Sequence, residues 1–464
     1  MSLAEFNSYL PWTYKRVNLI SKPLWELLFA EFEVQTVSDT KITNIMVFLY
    51  IKQFGNCDPC CPKNQRKIIT WFIEKGRSIY NLEQLESFFS TKPQSVIKNK
   101  CDGFNLVGYN RGRLGLGEDL RGYIKIFEYL DIPFSVYHIG HSSDAPEEYS
   151  HKNEGYSLPY KYSIFCMNII ELDKLIHCYD DDLSPFGYCI AASPWELPRV
   201  PDRWSKTLRH FDEVWAISRF VEKSYSKTFE NRLKIQYVAP VVSLPKSSSA
   251  QKINRQPRPF TFLYIFDAKS YMARKNPVAV VEAFLKAFQS NEPVRLVVKS
   301  TSEGCGDDWQ FLNTIANSDY RISLTVGSVD ESEMEKFWQR CDCYVSLHKS
   351  EGFGRTLVEA VSRKIPVVAT GWSGSTDIID ETNHLAVDFS LKQLKDNDYP
   401  EADGQYWAEP LESSAIKKLK WVYANRSSVE LFNIVRKNYI HFKENFSVTA
   451  VGRNQLLQRY INIG

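Results

Sequence analysis

Three stretches of this chain carry residue types that could act together on a phosphate-bearing ligand. In the first, His348-Lys-Ser-Glu351-Gly352-Phe353-Gly354-Arg355-Thr-Leu-Val-Glu359, two carboxylates bracket two glycines. An apolar run, Tyr344 to Leu347, precedes it, and another, Val367 to Thr370, opens after Pro366, so the segment reads as strand, glycine loop, helix, strand. Where a strand's carboxyl end meets a helix start, unpaired N–H groups and the helix dipole favour anions. Gly352 and Gly354 remove the side chains that would keep a diphosphate or a sugar ring from that backbone. Glu351 precedes the helix and Glu359 lies about a turn into it, leaning back toward its amino end, so both can face one ligand.

The second stretch follows the run Phe260 to Phe266 and reads Asp267-Ala-Lys269-Ser-Tyr-Met-Ala-Arg274-Lys275-Asn276-Pro277. It places Lys269 and Lys275 at a strand's carboxyl end, where fixed ammonium groups stabilise the negative charge growing on a departing phosphate without a metal. The third is Asn110-Arg-Gly112-Arg-Leu-Gly115-Leu-Gly117-Glu118, a glycine loop between the strand-like run Phe104 to Tyr109 and helical spacing from Asp119 to Leu130. A dinucleotide fingerprint would need a third glycine, but Leu120 stands there, which weakens a nicotinamide reading.

The elements that must hold these loops divide the chain. Residues 1–102 carry apolar positions at helical spacing, punctuated by Gly and Pro, and read as an accessory helical module with no catalytic constellation. Residues 103–245 read as a first Rossmann-like domain, residues 246–445 as a second, and residues 446–464 as a terminal helix returning to the first. The stretch 242–259 is polar, with three prolines and a serine run, and reads as the linker. The fold class expected is α/β, two Rossmann-like domains facing across a cleft, with the helical module in front.

The Glu-x7-Glu arrangement with its internal Gly-Phe-Gly resembles the donor-site signature of retaining glycosyltransferases of the GT-B fold, above all family 4. The Lys269 and Lys275 spacing with Arg274-Lys-Asn-Pro resembles that family's phosphate clamp. The segment Ser193-Pro-Trp195-Glu196-Leu-Pro198, continuing to Arg219-Phe220, resembles one found in members that build bacterial surface polysaccharides. The resemblance implies that Glu351 lies by the transferred sugar, that the Gly352, Phe353 and Gly354 amides touch sugar and phosphate, and that Glu359 holds ribose hydroxyls. It implies that Gly115 and Gly117 close over the donor phosphates, that a base packs near Ile322 to Asp330, and that Thr370 to Asp377 turns by the sugar. Relatives often carry a histidine where this chain has Trp195-Glu196; Glu196 could line the acceptor side or serve as a cap. The implied substrate is a nucleoside diphosphate sugar, UDP or GDP undecided, with no cofactor and no metal. The implied acceptor is an oligosaccharide or lipid-linked glycan, with room for peripheral contact at the cytoplasmic membrane face or with other glycan-assembly proteins. A catalytically silent nucleotide-sugar-binding subunit is the alternative.

Composition limits the other classes. A net charge of +2 gives no general reason to expect nucleic acid. Ten cysteines in 464 residues do not form a small disulfide scaffold, and the amino end lacks a signal-type apolar core, which favours a reduced, cytoplasmic setting. Cys57-x2-Cys60-Cys61 has no second Cys or His pair at metal-site spacing, and Asp180-Asp-Asp182 reads as a solvated loop before a Ser-Pro turn. The longest apolar runs, Ile42 to Ile51 and Tyr162 to Ile170, are too short to span a bilayer.

Overall fold

The computed structural model describes residues 42–55, 57–59, 61–76, 100–139, 148–155, 157–179, 182–229, 232–243, 258–379, 384–395 and 398–453. The linker at 244–257, Cys60, Asp180, Asp181 and the terminal stretch from 454 onward lie outside the described residues. Among the described residues two helices come first, α1 (Asn44–Phe54) and α2 (Pro62–Trp71), packed through Ile42, Val47 and Ile68. Pro62 opens α2 at a position where its missing N–H costs nothing.

The first sheet is built from β1 (Cys101–Gly108), β2 (Phe134–His138), β3 (Tyr160–Cys166), β4 (Tyr188–Ala191), β5 (Glu213–Ala216) and β6 (Lys234–Tyr237). Helix α3 (Gly115–Leu130) follows β1, α4 (Ile169–Cys178) follows β3 and α5 (Arg219–Phe229) follows β5. The strand order is β2-β1-β3-β4-β5-β6. The second sheet contains β7 (Phe260–Phe266), β8 (Val294–Ser300), β9 (Ile322–Val326), β10 (Cys343–Ser346), β11 (Val367–Thr370) and β12 (Ala386–Val387), in the order β12-β11-β10-β7-β8-β9. Between its strands run α6 (Pro277–Ala287), α7 (Asp307–Ser318), α8 (Glu331–Arg340) and α9 (Arg355–Ser362). An antiparallel hairpin of β13 (Phe389–Gln393) and β14 (Tyr406–Pro410) follows, then α10 (Glu412–Ala424), α11 (Val429–Asn445) and a short helix, Val448–Gly452.

Both large sheets are parallel where pairing is recorded. Helices cover both faces of such sheets, so their strands read as continuous apolar runs, as β10 and β11 do with every residue buried. Cys341 and Cys343 are buried at the start of β10, small hydrophobes in the core. This is an α/β fold with two Rossmann-like domains, the GT-B architecture. By contacts, one compact unit comprises Met1–Gly117, Phe134–Cys189 and Arg209–Phe211. The other comprises Glu118–Pro133, Ile190–Leu208 and Asp212–Gly464, and holds the loops after β7 and β10.

The second sheet's order matters most. Strands β7 and β10 are hydrogen-bonded neighbours, Phe262 facing Cys343 and Leu263 facing Tyr344, although β8 and β9 intervene in the chain. The chain leaves β7 toward one edge and β10 toward the other, which makes their carboxyl ends a topological switch point, the place where ligands bind in open α/β sheets.

Candidate functional site

The loop after β7 is shaped by its own residues. A single helical turn, Met272–Lys275, ends at Asn276, whose left-handed conformation (φ 53°) asparagine tolerates better than most. The Asn276 amide donates to the Leu347 carbonyl at 2.9 Å, tying this turn to the end of β10, and Pro277 then starts α6 with a preset φ. The Tyr264 hydroxyl, on β7, donates to the Lys275 carbonyl. The loop after β10 is pinned in turn. The Lys349 amide donates to the Arg274 carbonyl at 2.8 Å, the Glu351 amide to Ser373 Oγ at 2.8 Å, and the Gly374 amide to the Glu351 carbonyl at 2.9 Å.

Lys275 and Glu351 meet at the centre of this frame, Nζ to Oε1 at 2.5 Å. Arg274 approaches the other carboxylate oxygen at 3.2 Å. Arg274 is buried, and its remaining bonds go to the Ser350 carbonyl at 2.9 Å, the Ser270 carbonyl at 3.2 Å and Ser270 Oγ at 2.9 Å. It therefore braces both loops. Burial by itself would raise the Glu351 carboxyl, but Lys275, then Arg274 and His348, outweigh that and hold it down to about 2. Burial pushes the Lys275 ammonium below its usual range against the pull of Glu351. The carboxylate is fully ionised at neutral pH, with two cations on it.

Lys269 is exposed, its backbone amide held by Asp267 Oδ1 at 3.1 Å and Ser302 Oγ at 3.3 Å. Gly352 is buried, and a Cβ there would lie 3.2 Å from the Trp195 carbonyl oxygen. Gly354 has φ +98° and starts α9 with no side chain capping the helix. Phe353 turns its ring inward against Phe446, centroids 5.5 Å apart, so the residue offers the loop its backbone alone. Arg363 and Arg355 favour the charged form of Glu359, and Glu118 opposes it. Burial, the largest influence, leaves the Glu359 carboxyl above the usual range. Burial raises the Tyr344 phenol, whose hydroxyl bonds to Thr356 Oγ1 at 2.7 Å and to the Ile265 carbonyl at 3.1 Å, and the Glu351 and Glu359 carboxylates raise it further.

Two expected positions sit differently from their reading. Gly115 and Gly117 were expected in a loop ahead of a helix from Asp119; both belong to the first turn of α3, and Gly115 is exposed with open space around it. Trp195 is buried and donates its indole N–H to the Arg199 carbonyl at 2.9 Å, so its ring is packing material and its carbonyl is what meets Gly352. The neighbouring Glu196 accepts from the Tyr399 hydroxyl at 2.9 Å, and its backbone carbonyl accepts from Ser350 Oγ. Its carboxylate also supports the charge on Arg274 and Lys275. Asp182 accepts from the Ser184 amide at 2.8 Å, a local turn contact. Among the described residues no cluster of His, Cys, Asp and Glu could hold a metal.

Several participants were not singled out from the sequence. Ser373, itself at φ +71°, holds the Glu351 amide. Arg355 pairs with Asp119 from α3. His348 is buried with Ser346 Oγ at 3.0 Å on Nδ1 and Ser375 Oγ at 3.0 Å on Nε2. Burial takes its imidazole down to about 4, the Glu351 carboxylate pulling the other way, so the ring is neutral at pH 7. A histidine whose folded value lies below its unfolded value of about 6.5 contributes stability that is complete above about pH 6.5 and is lost as pH falls toward about 4. His348→Asn is expected to flatten that part of the melting-temperature profile; an unchanged slope between these limits would locate the acid sensitivity elsewhere.

The sequence of this same region matches the family described as Glycosyl transferases group 1 over residues 250–396. The site residues after β7 and β10 all lie inside this stretch, while Glu196 and Asp119 lie outside it. Among solved structures, sucrose-phosphate synthase of Thermosynechococcus elongatus is similar at 12% identity and a TM-score of 0.56, covering 78% of this chain and 100% of that one. The HepE protein of Anabaena, solved with UDP-glucose, is similar at 12% identity and a TM-score of 0.55, covering 78% of this chain and 100% of that one. The pneumococcal O-GlcNAc transferase GtfA is longer: at 13% identity and a TM-score of 0.46, 65% of this chain covers 56% of it. No curated protein matches this chain at a significant level of sequence similarity. The chain thus has the GT-B fold, and the stretch matching the glycosyl transferase family, residues 250–396, carries the loops after β7 and β10. Among the described residues no helix is long and apolar enough to cross a membrane.

Proposed function

We propose that the protein is a retaining glycosyltransferase that moves a hexose-type sugar from a nucleoside diphosphate to a hydroxyl of a glycan or lipid-linked glycan, in the synthesis of a surface polysaccharide. The observation that carries this reading is the ionised Glu351 carboxylate, clasped by Lys275 and Arg274 at the switch point of a glycosyltransferase domain. A departing diphosphate gains negative charge as the glycosidic bond breaks, and the sugar's anomeric carbon gains positive charge. Preorganised groups of opposite sign stabilise both without reorganising during the reaction. In this reading Lys275, with Lys269 at the rim, takes the diphosphate, helped by the uncapped start of α9. Glu351 faces the anomeric carbon, the Gly352 to Gly354 backbone contacts sugar and phosphate, and Glu359 holds ribose. The similarity to HepE, solved with UDP-glucose, supports a nucleotide-sugar donor.

The test is incubation of the purified chain with a panel of UDP- and GDP-sugars and extracted lipid-linked glycans. Nucleotide release is expected to depend on both donor and acceptor, the product is expected to keep the donor's anomeric configuration by NMR, and a chelator is expected to leave the rate unchanged. Saturable donor binding without turnover on any acceptor would instead support a silent subunit, and an inverted product would remove the retaining assignment.

A further inference from the structure

We propose that the outward face of α11 is a docking surface for an anionic lipid bilayer. This helix buries Leu431, Asn438 and Phe442 against the second unit. Its other side should be polar if it faced only water. Instead Val429 is 75% exposed, Phe432 64% and Ile440 43%. At roughly 100° per residue these three fall within about a quarter turn of one another, and Arg436 and Lys443 fall in the same arc. The acidic residues of the helix, Glu430 and Glu444, lie on one flank, outside that arc. The stripe is therefore apolar and cationic, without a carboxylate.

The surrounding sequence carries the same bias. From Leu411 to Asn445 there are seven Lys or Arg against three Glu, in a chain whose net charge is only +2. Exposed hydrophobes standing singly are ordinary, but three on one face of one helix with cations interleaved mark an interaction surface. The charge decides which partner fits. An isologous contact with a second copy would bring Arg436 and Lys443 of both copies into one patch, like charge on like charge. A bilayer with anionic headgroups offers acyl chains to Val429, Phe432 and Ile440 and negative charge to the two cations beside them, the arrangement of a helix lying in the interfacial plane.

The surface reading does not rest on the proposed activity, and its test needs no turnover. The full chain is sedimented with vesicles of phosphatidylcholine alone or of phosphatidylcholine with phosphatidylglycerol. Binding is expected to the anionic vesicles, to weaken with added salt, and to fall about tenfold for Phe432→Ser and again for Arg436→Glu, the losses expected from removing one interfacial anchor and one cation. Both positions are exposed, so the variants are expected to melt with the parent chain. Equal sedimentation of parent and variants, or no preference for anionic vesicles, would overturn the proposal. So would a concentration-dependent dimer that Phe432→Ser dissolves, which would give the stripe to a second copy.

Discussion

Lys275→Ala is expected to abolish donor-induced thermal stabilisation and to lower turnover by about 10²–10³, the loss found when one preorganised group facing developing charge is removed. The reason is geometric. Lys275 Nζ stands 2.5 Å from Glu351 Oε1, at the carboxyl end of β7, where a diphosphate would meet it, and its backbone is fixed by Tyr264 and Asn276 on either side. Removing it also leaves Glu351 with Arg274 as its nearest cation, at 3.2 Å. Truncating one partner of a fully buried pair costs roughly 3–5 kcal/mol when nothing compensates; this pair is part-buried and Glu351 keeps Arg274, so the expected cost lies below that range. Lys269→Ala is the comparison, since that side chain is exposed and takes no part in the Glu351 pair. Its loss is expected to raise the donor KM several-fold with little change in melting. A cycle with Glu351→Gln separates the two effects: if the pair acts as a unit, the double variant loses less than the two single losses together. Donor-induced stabilisation undiminished in Lys275→Ala would remove this residue from the diphosphate site.

The sequence showed each half of that pair at its own loop, because strands buried on both faces give uninterrupted apolar runs and turns give Gly and Pro. Phe260–Phe266 and Val367–Thr370 emerge in the structure with the bounds read from sequence. What joins the halves is the adjacency of β7 and β10, a property of strand order that no local pattern encodes. The same limit hid Tyr399, which reaches Glu196 across 203 positions, and Asp119, which reaches Arg355 across 236. The glycines at 115 and 117 read as a loop between a strand-like run and helical spacing from Asp119, whereas the helix starts at Gly115 and holds both in its first turn. Trp195 illustrates another ambiguity. An aromatic in a Pro-rich loop suits ligand stacking and core filling equally well, and only the bond to the Arg199 carbonyl shows which one the chain uses. Ser373 held no signal beyond its place in a glycine turn, and its strained backbone is visible only in coordinates.

Gly374→Ala is expected to be the most damaging small substitution in the second unit, costing about 3 kcal/mol or more, above the usual range for overpacking. A Cβ there would lie 2.1 Å from the Gly352 carbonyl oxygen and 2.8 Å from the Phe353 nitrogen, both backbone atoms that no rotamer change can move. The Gly352 loop is itself closely packed, the Trp195 carbonyl lying 3.2 Å from where a Gly352 Cβ would be. The added methyl must therefore displace the segment that carries the Glu351 carboxylate, whose own carbonyl accepts the Gly374 amide at 2.9 Å. Gly404→Ala supplies the contrast: that residue sits at φ +66° with open space around it, so alanine there bears only the conformational cost of about 1 kcal/mol. Melting and donor binding measured on both variants divide steric from conformational effects. If Gly374→Ala melts no lower than Gly404→Ala and still binds donor, the close approach of the two loops is not what positions Glu351.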